Sequence, residues 1–151
     1  FSNPQRKSFM QHTFEDYAVI VCNGKFTNRL GVEFVQTPNQ SFYYTNLERT
    51  LIDIAVRPAY SGGVAEVLHA FKLAKGRISI QKLGEYLQML DYSYPYHQLI
   101  GFYLEMAGYS ENEYSLFAQN IHLNFYLTYN IKNKAFSEKW KVYYPKILIF
   151  D

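Results

Sequence analysis

The densest group of charged residues lies at positions 48–53, in the run Glu-Arg-Thr-Leu-Ile-Asp. Arg49 and Asp53 are four positions apart, a spacing at which two side chains can pair on one face of a helix. An apolar run follows Arg49, which favours partial burial of its guanidinium group. A buried arginine usually uses its five donors to hold carbonyl and carboxylate groups together. We therefore predict a structural rather than a catalytic role for Glu48, Arg49 and Asp53.

A second charged group, near the C-terminus, combines lysines with aromatic residues. Residues 132–151 contain five lysines and two acidic residues, so this segment has a net charge of +3. Lysines interleaved with aromatic rings are typical of surfaces that bind a single strand or a phosphate backbone. The simpler alternative is a solvated strand face whose lysines discourage edge pairing. The residues of this candidate nucleic-acid or partner surface are Lys132, Lys134, Lys139, Trp140, Lys141 and Tyr143.

The remaining reactive residue types do not form a catalytic or metal-binding pattern. No histidine has a second ligand at the spacing of a known metal motif, and no Gly-x-Ser-x-Gly elbow occurs. The single cysteine, Cys22, lies in an apolar run with no base nearby in sequence, so we predict that it is buried and inert. The sequence therefore predicts no catalytic residue, no metal and no cofactor. The four histidines are His12, His69, His97 and His122.

Glu33 leaves one enzymatic alternative open. It lies in a predicted strand, with Glu15 and Asp16 upstream, and nucleases of the restriction type bind Mg²⁺ through acidic residues on strands. Such a core also places a lysine beside the acids, whereas Phe34 and Val35 follow Glu33 here. A metal-dependent nucleic-acid enzyme is therefore one alternative to a non-enzymatic regulatory domain, and a DNA-binding module that acts through the C-terminal lysines and aromatic residues is the other.

Length and composition narrow the remaining classes. The 151 residues suggest one domain, and a net charge of +2 implies no strong polyelectrolyte partner for the chain as a whole. No apolar run is long enough to cross a membrane, and no signal segment is recognisable, which favours a cytoplasmic protein. The chain begins with Phe1 rather than methionine, so we expect it to be part of a longer protein. Aromatic residues make up 19% of the chain, an unusually high share.

The first third of the chain has strand character. Residues 17–22 are β-branched and aromatic, and similar runs occupy residues 31–35 and 41–44. The Asn23-Gly24 pair is typical of a tight hairpin turn. These features predict a small antiparallel N-terminal sheet, with residues 1–16 as an arm or a short edge element.

About five helices are predicted next. Thr45-Asn46-Leu47-Glu48 fits a capping box, in which Thr45 and Glu48 satisfy amide groups at the start of the first helix. Pro58 ends that helix. The second helix follows Gly63 and ends before Gly76, and Ser79 begins the third. Pro95 and Gly108 bound the fourth helix, and Ser110 begins the fifth. Apolar residues recur at helical spacing within each segment.

The chain then returns to strand character. Residues 123–129 and 139–144 alternate, and the polar residues 130–137 read as a turn between them. The alternation places Trp140, Val142 and Tyr144 on one face of the second strand. The expected fold class is therefore α+β, with a small N-terminal sheet, about five central helices and a C-terminal β-hairpin.

Residues 45–53, with the sequence Thr-Asn-Leu-Glu-Arg-Thr-Leu-Ile-Asp, resemble a recurring element of AbiEi-type antitoxins. These proteins are the antitoxin halves of type IV toxin–antitoxin and phage abortive-infection systems. The resemblance continues at residues 58–64 and 99–108, and in the closing strands at residues 125–127 and 139–142. The order of these motifs covers nearly the whole chain.

This resemblance implies a function. Such antitoxins carry an N-terminal winged helix that binds the operator and a C-terminal domain that neutralises a nucleotidyltransferase-like toxin. Residues 1–151 resemble the second domain alone, so the expected partner is the cognate toxin, and operator DNA would be bound by an N-terminal domain outside this sequence. The family offers no catalytic residues, and Glu48, Arg49 and Asp53 match its motif. It often has a basic residue before the position of Gly101, where this chain has Leu99-Ile100.

Overall fold

Two separate two-stranded antiparallel sheets form the N-terminal part of the chain. In the computed structural model, which describes residues 9–22 and 28–149, β1 (Phe9–Phe14) pairs with β2 (Tyr17–Cys22). Strand β3 (Val32–Gln36) pairs with β4 (Ser41–Thr45). An antiparallel N-terminal sheet is therefore confirmed, but β2 pairs with the segment before it, which was expected to be at most an edge element. The predicted turn at Asn23-Gly24 lies outside the described residues.

The described part of the chain then forms five α-helices, as predicted. They are α1 (Leu47–Val56), α2 (Val64–Ala74), α3 (Ile80–Leu90), α4 (Tyr96–Met106) and α5 (Glu111–Tyr114), and short 3-10 turns follow α1 and α5. Ser79 caps α3 by accepting from the Lys82 amide, and Ser110 begins α5 with the predicted capping box.

The predicted cap of α1 is wrong by one residue. Thr45 ends β4 instead, and the Asn46 side chain accepts a hydrogen bond from the Arg49 amide at 3.2 Å. An asparagine oxygen is as good a helix cap as a threonine oxygen, so the helix begins one residue later than the Thr45 motif suggests. This shift releases the Glu48 carboxylate from the cap, and it contacts α3 instead.

Helix α4 lies at the centre of the core. Every side chain from Gln98 to Leu104 is buried, so α4 is covered on all sides rather than along a single stripe. The Tyr103 ring stacks on Phe71 of α2, with ring centroids 5.2 Å apart and an interplanar angle of 14°. Ile52 of α1 and Leu83 of α3 are fully buried as well. The surrounding helices thus enclose α4.

The C-terminal strands form a three-stranded sheet whose order is β5-β7-β6. Strand β5 (Phe125–Tyr126) runs parallel to β7 (Val142–Pro145), and β6 (Lys134–Ser137) runs antiparallel to it. The C-terminal hairpin exists, but its first strand lies inside the segment predicted as a turn. Strand β6 cannot be recognised from the sequence because its four residues are too few to show a strand alternation.

The Trp140 side chain packs between the C-terminal sheet and α4. Its side chain is fully buried, and a Cβ atom at Gly101 of α4 would lie only 2.1 Å from the Trp140 Cζ3 atom. Gln98 donates from Nε2 to the Trp140 carbonyl oxygen and to the Leu123 carbonyl oxygen, at 2.8 Å each. The indole therefore occupies the space that the missing side chain of Gly101 leaves open.

Gly101→Ala is expected to lower the free energy of unfolding by about 1–3 kcal/mol, because the added methyl group overpacks a buried ring. Gly84→Ala in α3 is the matched control. There a Cβ atom would lie 2.8 Å from Cδ2 of Leu116, whose side chain is half exposed and can move, and in ordinary contact with Phe117 at 3.9 Å. Alanine is also the better helix former by about 1 kcal/mol, so the control should be neutral or stabilising. Urea unfolding of both variants measures the difference, and equal stabilities would contradict this packing.

Candidate functional site

The Arg49 guanidinium group is a buried junction between α1 and the hairpin β3–β4. Only 9% of the residue is exposed. Its Nε atom donates to both carboxylate oxygens of Asp53, at 3.0 and 2.9 Å, and Nη1 donates to the Leu30 carbonyl oxygen at 2.9 Å. The pair that the sequence spacing predicts is thus present, and the same side chain also holds the loop that leads into β3.

Glu48, the neighbour of Arg49, links α1 to α3. Its carboxylate accepts from the Ser79 backbone amide at 2.9 Å and lies 3.3 Å from the Lys82 ammonium group. Burial favours a raised pKa for Glu48, but the Ser79 amide and the Lys82 charge outweigh it and lower the pKa below the ordinary value. Glu48 is therefore a charged acceptor at the N-terminus of α3.

Gly31 and Asn46 complete this junction, and the sequence analysis did not single out either of them. A Cβ atom at Gly31 would lie 2.6 Å from the Arg49 Cβ atom and 2.9 Å from the Tyr86 ring. The backbone φ of Gly31 is +70°, which other residues rarely adopt. The backbone N–H of Asn46 donates to the Gly31 carbonyl oxygen at 2.8 Å. Only glycine allows the hairpin to approach α1 this closely.

Glu33 accepts hydrogen bonds from residues of the same junction between the β3–β4 hairpin and α1. Its carboxylate accepts from the Tyr44 hydroxyl at 2.7 Å and from Asn46 Nδ2 at 3.3 Å. The Tyr44 hydrogen bond is the main cause of the lowered pKa of Glu33, and it raises the pKa of Tyr44 in return. Glu15 and Asp16 lie by the turn of the other N-terminal sheet. Across residues 9–22 and 28–149, no three His, Cys, Asp or Glu side chains are grouped so that they could hold a metal ion.

The structure divides the C-terminal candidate surface into two parts. In the first part, Lys139 and Trp140 belong to a packed cluster around Glu105 of α4. Lys139 Nζ lies 2.7 Å from one carboxylate oxygen of Glu105, and the Trp140 indole N–H donates to the other. The Lys139 ammonium group also lies 4.1 Å from the centroid of the Tyr114 ring. These two predicted surface residues therefore hold the sheet against α4 and α5.

In the second part, three aromatic rings form a row across the C-terminal sheet. Tyr126 of β5 is directly opposite Tyr143 of β7, which is directly opposite Phe136 of β6. The ring centroids are 4.6 Å apart for Tyr126–Tyr143 and 4.4 Å apart for Tyr143–Phe136. The sequence analysis missed Phe136 because its strand was read as a turn.

Two of the candidate lysines, Lys134 and Lys141, lie beside this row, and Lys132 lies with Lys146 at a corner of the sheet. Lys134 Nζ is 5.4 Å from the Tyr143 ring centroid and 5.8 Å from that of Tyr126. Lys141 lies 5.8 Å from the Phe136 ring centroid and pairs with Glu138 at 2.9 Å. Lys132 and Lys146 line a shallow depression at the adjoining corner of the sheet.

The other residues that the sequence singled out lie apart from both regions. His12, His69 and His122 are exposed. His97 is partly buried in α4, and burial lowers its pKa. Cys22, predicted to be buried, is only partly buried, because the two-stranded sheet that carries it is covered incompletely.

Comparisons with protein-family models, with curated proteins and with solved structures find no match to this chain. Among the residues that the structure describes, no helix combines the length and the apolar character needed to span a bilayer.

Glu48→Gln tests the charged junction through its pH dependence. Because the pKa of Glu48 is lowered in the folded state, its carboxylate stabilises the fold at neutral pH, and this stabilisation is lost as the pH falls below 4.5. The variant should therefore be less stable than the wild type by about 1–3 kcal/mol at pH 7. The difference should shrink as the pH falls from 5 to 3.

Chemical denaturation at several pH values measures this difference. Glu111→Gln is the control, because Glu111 is exposed in the first turn of α5, and surface changes of this kind usually alter stability by less than about 0.5 kcal/mol. A difference for Glu48→Gln that stayed constant with pH would show that the carboxylate charge does not stabilise the junction.

Proposed function

We propose that this chain is the toxin-neutralising domain of an antitoxin of the AbiEi type, and that it acts by recognition rather than by catalysis. The observation that carries the proposal is the convergence of the motif residues Glu48, Arg49 and Asp53 on one junction of the fold. Arg49 pairs with Asp53, and Glu48 joins the same helix to α3, so these residues serve the architecture of the domain, as the resemblance leads us to expect. The ordered resemblance along the rest of the chain supports the same family.

The use of the carboxylates supports a non-enzymatic role. Glu33, Glu48 and Glu105 each accept hydrogen bonds from groups on other elements of the fold. In each case these partners hold the pKa below its ordinary value, whereas a general acid or base needs a pKa near the working pH. These side chains are therefore suited to holding elements together.

The proposed partner is a nucleotidyltransferase-like toxin, counteracted in the bacterial cytoplasm. In such systems the antitoxin opposes the action of the toxin, and direct contact between the two proteins is a separate question. Binding of operator DNA belongs to an N-terminal winged helix in this proposal, not to the described helices. A metal-dependent nucleic-acid enzyme centred on Glu33 is the alternative that the experiment must distinguish.

Co-expression in bacteria tests the proposal. A nucleotidyltransferase-like toxin encoded beside the gene for this chain is induced alone or together with the full-length gene product. We expect the toxin alone to stop growth and the co-expressed protein to restore colony counts by several orders of magnitude. Ile52→Asp, which places a charge at a fully buried position, should abolish the rescue because the fold is lost.

Glu33→Gln separates the two candidate functions. The glutamine oxygen can still accept from Tyr44, so the fold and a rescue based on recognition should persist. Loss of rescue in this variant, with an unchanged melting temperature, would favour the enzyme. Failure of the wild-type protein to rescue growth, although soluble and folded, would contradict the antitoxin proposal.

A further inference from the structure

The C-terminal sheet has one face in the core and one that presents aromatic rings. Val142 is fully buried, and its neighbours Phe125 and Tyr144 pack against the core. Because side chains alternate along a strand, the opposite face carries the row of Tyr126, Tyr143 and Phe136. The row therefore adds little to the core, and its outer end is open, since 51% of Tyr126 is exposed.

The rings of the row are arranged as a stack. Tyr126 and Tyr143 are nearly parallel, with an interplanar angle of 21°, and Phe136 continues the row with an angle of 37° to Tyr143. Strand β5, which carries Tyr126, is an edge strand, and within residues 9–22 and 28–149 no further strand pairs with its outer side. A planar group can therefore continue the stack on the outer side of the Tyr126 ring.

The charge beside the stack is positive. Among the described residues, Lys132, Lys134 and Lys146 have no carboxylate within ion-pair distance, unlike Lys139 and Lys141. The backbone amide of Lys146 donates to the Asn133 carbonyl oxygen at 2.9 Å, which holds the corner that carries these lysines together. Lys134 thus lies against the aromatic row, and Lys132 and Lys146 lie at the corner beside Pro145, the residue opposite Lys134, so that the described part of the chain leaves three cations without an ion pair here.

We infer that this face of the sheet, defined by Tyr126, Tyr143, Phe136, Lys132, Lys134 and Lys146, binds single-stranded nucleic acid. Bases of a single strand expose their faces and can stack on aromatic side chains, while the phosphates contact the lysines. A duplex keeps its bases stacked inside, so it can use the lysines but not the ring faces. The inference does not depend on the antitoxin proposal, because binding can be measured with the chain alone.

Fluorescence anisotropy tests the inference with a labelled 12-nucleotide RNA, a DNA of the same sequence and the corresponding duplex. We expect the 151-residue chain to bind the single strands more tightly than the duplex in low salt. Equal binding of RNA and DNA would support stacking that ignores the sugar, and preference for RNA would support stacking with added contact to the 2′-hydroxyl.

Substitutions in the row should weaken this binding in a defined way. Stacking on one ring is worth about 1–3 kcal/mol per base, so Tyr126→Ala should raise the dissociation constant about 5- to 150-fold. Tyr126→Phe keeps the ring and should bind nearly as well as the wild type. Tyr17→Ala is the matched control, since Tyr17 is a more exposed strand tyrosine, at 72%, in a different sheet.

The lysines should determine the salt dependence. Lys134→Gln and Lys146→Gln should each reduce the slope of log K against log salt by about 0.7, the value for one phosphate contact on a single strand. Lys72→Gln, in α2 and outside this face, should leave the slope unchanged.

Three results would overturn the inference. They are the absence of binding to either single strand in low salt, binding that Tyr126→Ala leaves unchanged, and binding of the duplex as tightly as the single strands. The first would leave the antitoxin proposal intact, because rescue of growth can depend on a different surface. Circular dichroism of each variant separates a loss of binding from a loss of fold.

Discussion

The rest of the fold depends on two neighbouring charges of opposite sign that are buried at the start of α1. Glu48 is 7% exposed and Arg49 is 9% exposed, and a buried charge is costly unless hydrogen bonds and ion pairs compensate for it. Their partners come from three places, namely the loop before β3, the middle of α1 and the start of α3. Satisfying the two charges therefore positions the hairpin β3–β4 and helix α3 relative to α1.

A different kind of constraint attaches the C-terminal sheet. The Trp140 indole fits against Gly101, its N–H donates to Glu105, and its carbonyl oxygen accepts from Gln98. In β7, which begins two residues after Trp140, the alternation of side chains places Val142 in the core and Tyr143 on the opposite face. Burial of Val142 thus leaves Tyr143 and its cross-strand neighbours on the outer face, which gives the aromatic row a physical origin.

Much of the fold could be predicted from the sequence, and the candidate surface could be predicted only in part. The five helices were identified because their signals are local, such as the Ser79 and Ser110 caps and the apolar periodicity. The Arg49–Asp53 pair was predictable for the same reason, since its partners are one helical turn apart. Strand β6 was missed because its four residues are too few to show a strand alternation. The Lys139 and Trp140 side chains were assigned to a binding surface because their partner Glu105 lies more than thirty positions away.

The sequence by itself determined the order and type of most elements, the motif at the start of α1 and the concentration of lysines and aromatic residues near the C-terminus. Only the tertiary structure decided which strands pair, which lysines are neutralised and which rings line up across the sheet. The physical reason is the sequence separation over which each interaction acts. Capping and periodicity act within a few residues, whereas Glu48 meets the Ser79 amide across 31 positions and Gln98 meets the Trp140 carbonyl across 42. No spacing rule for a single helix or strand reports contacts of that separation.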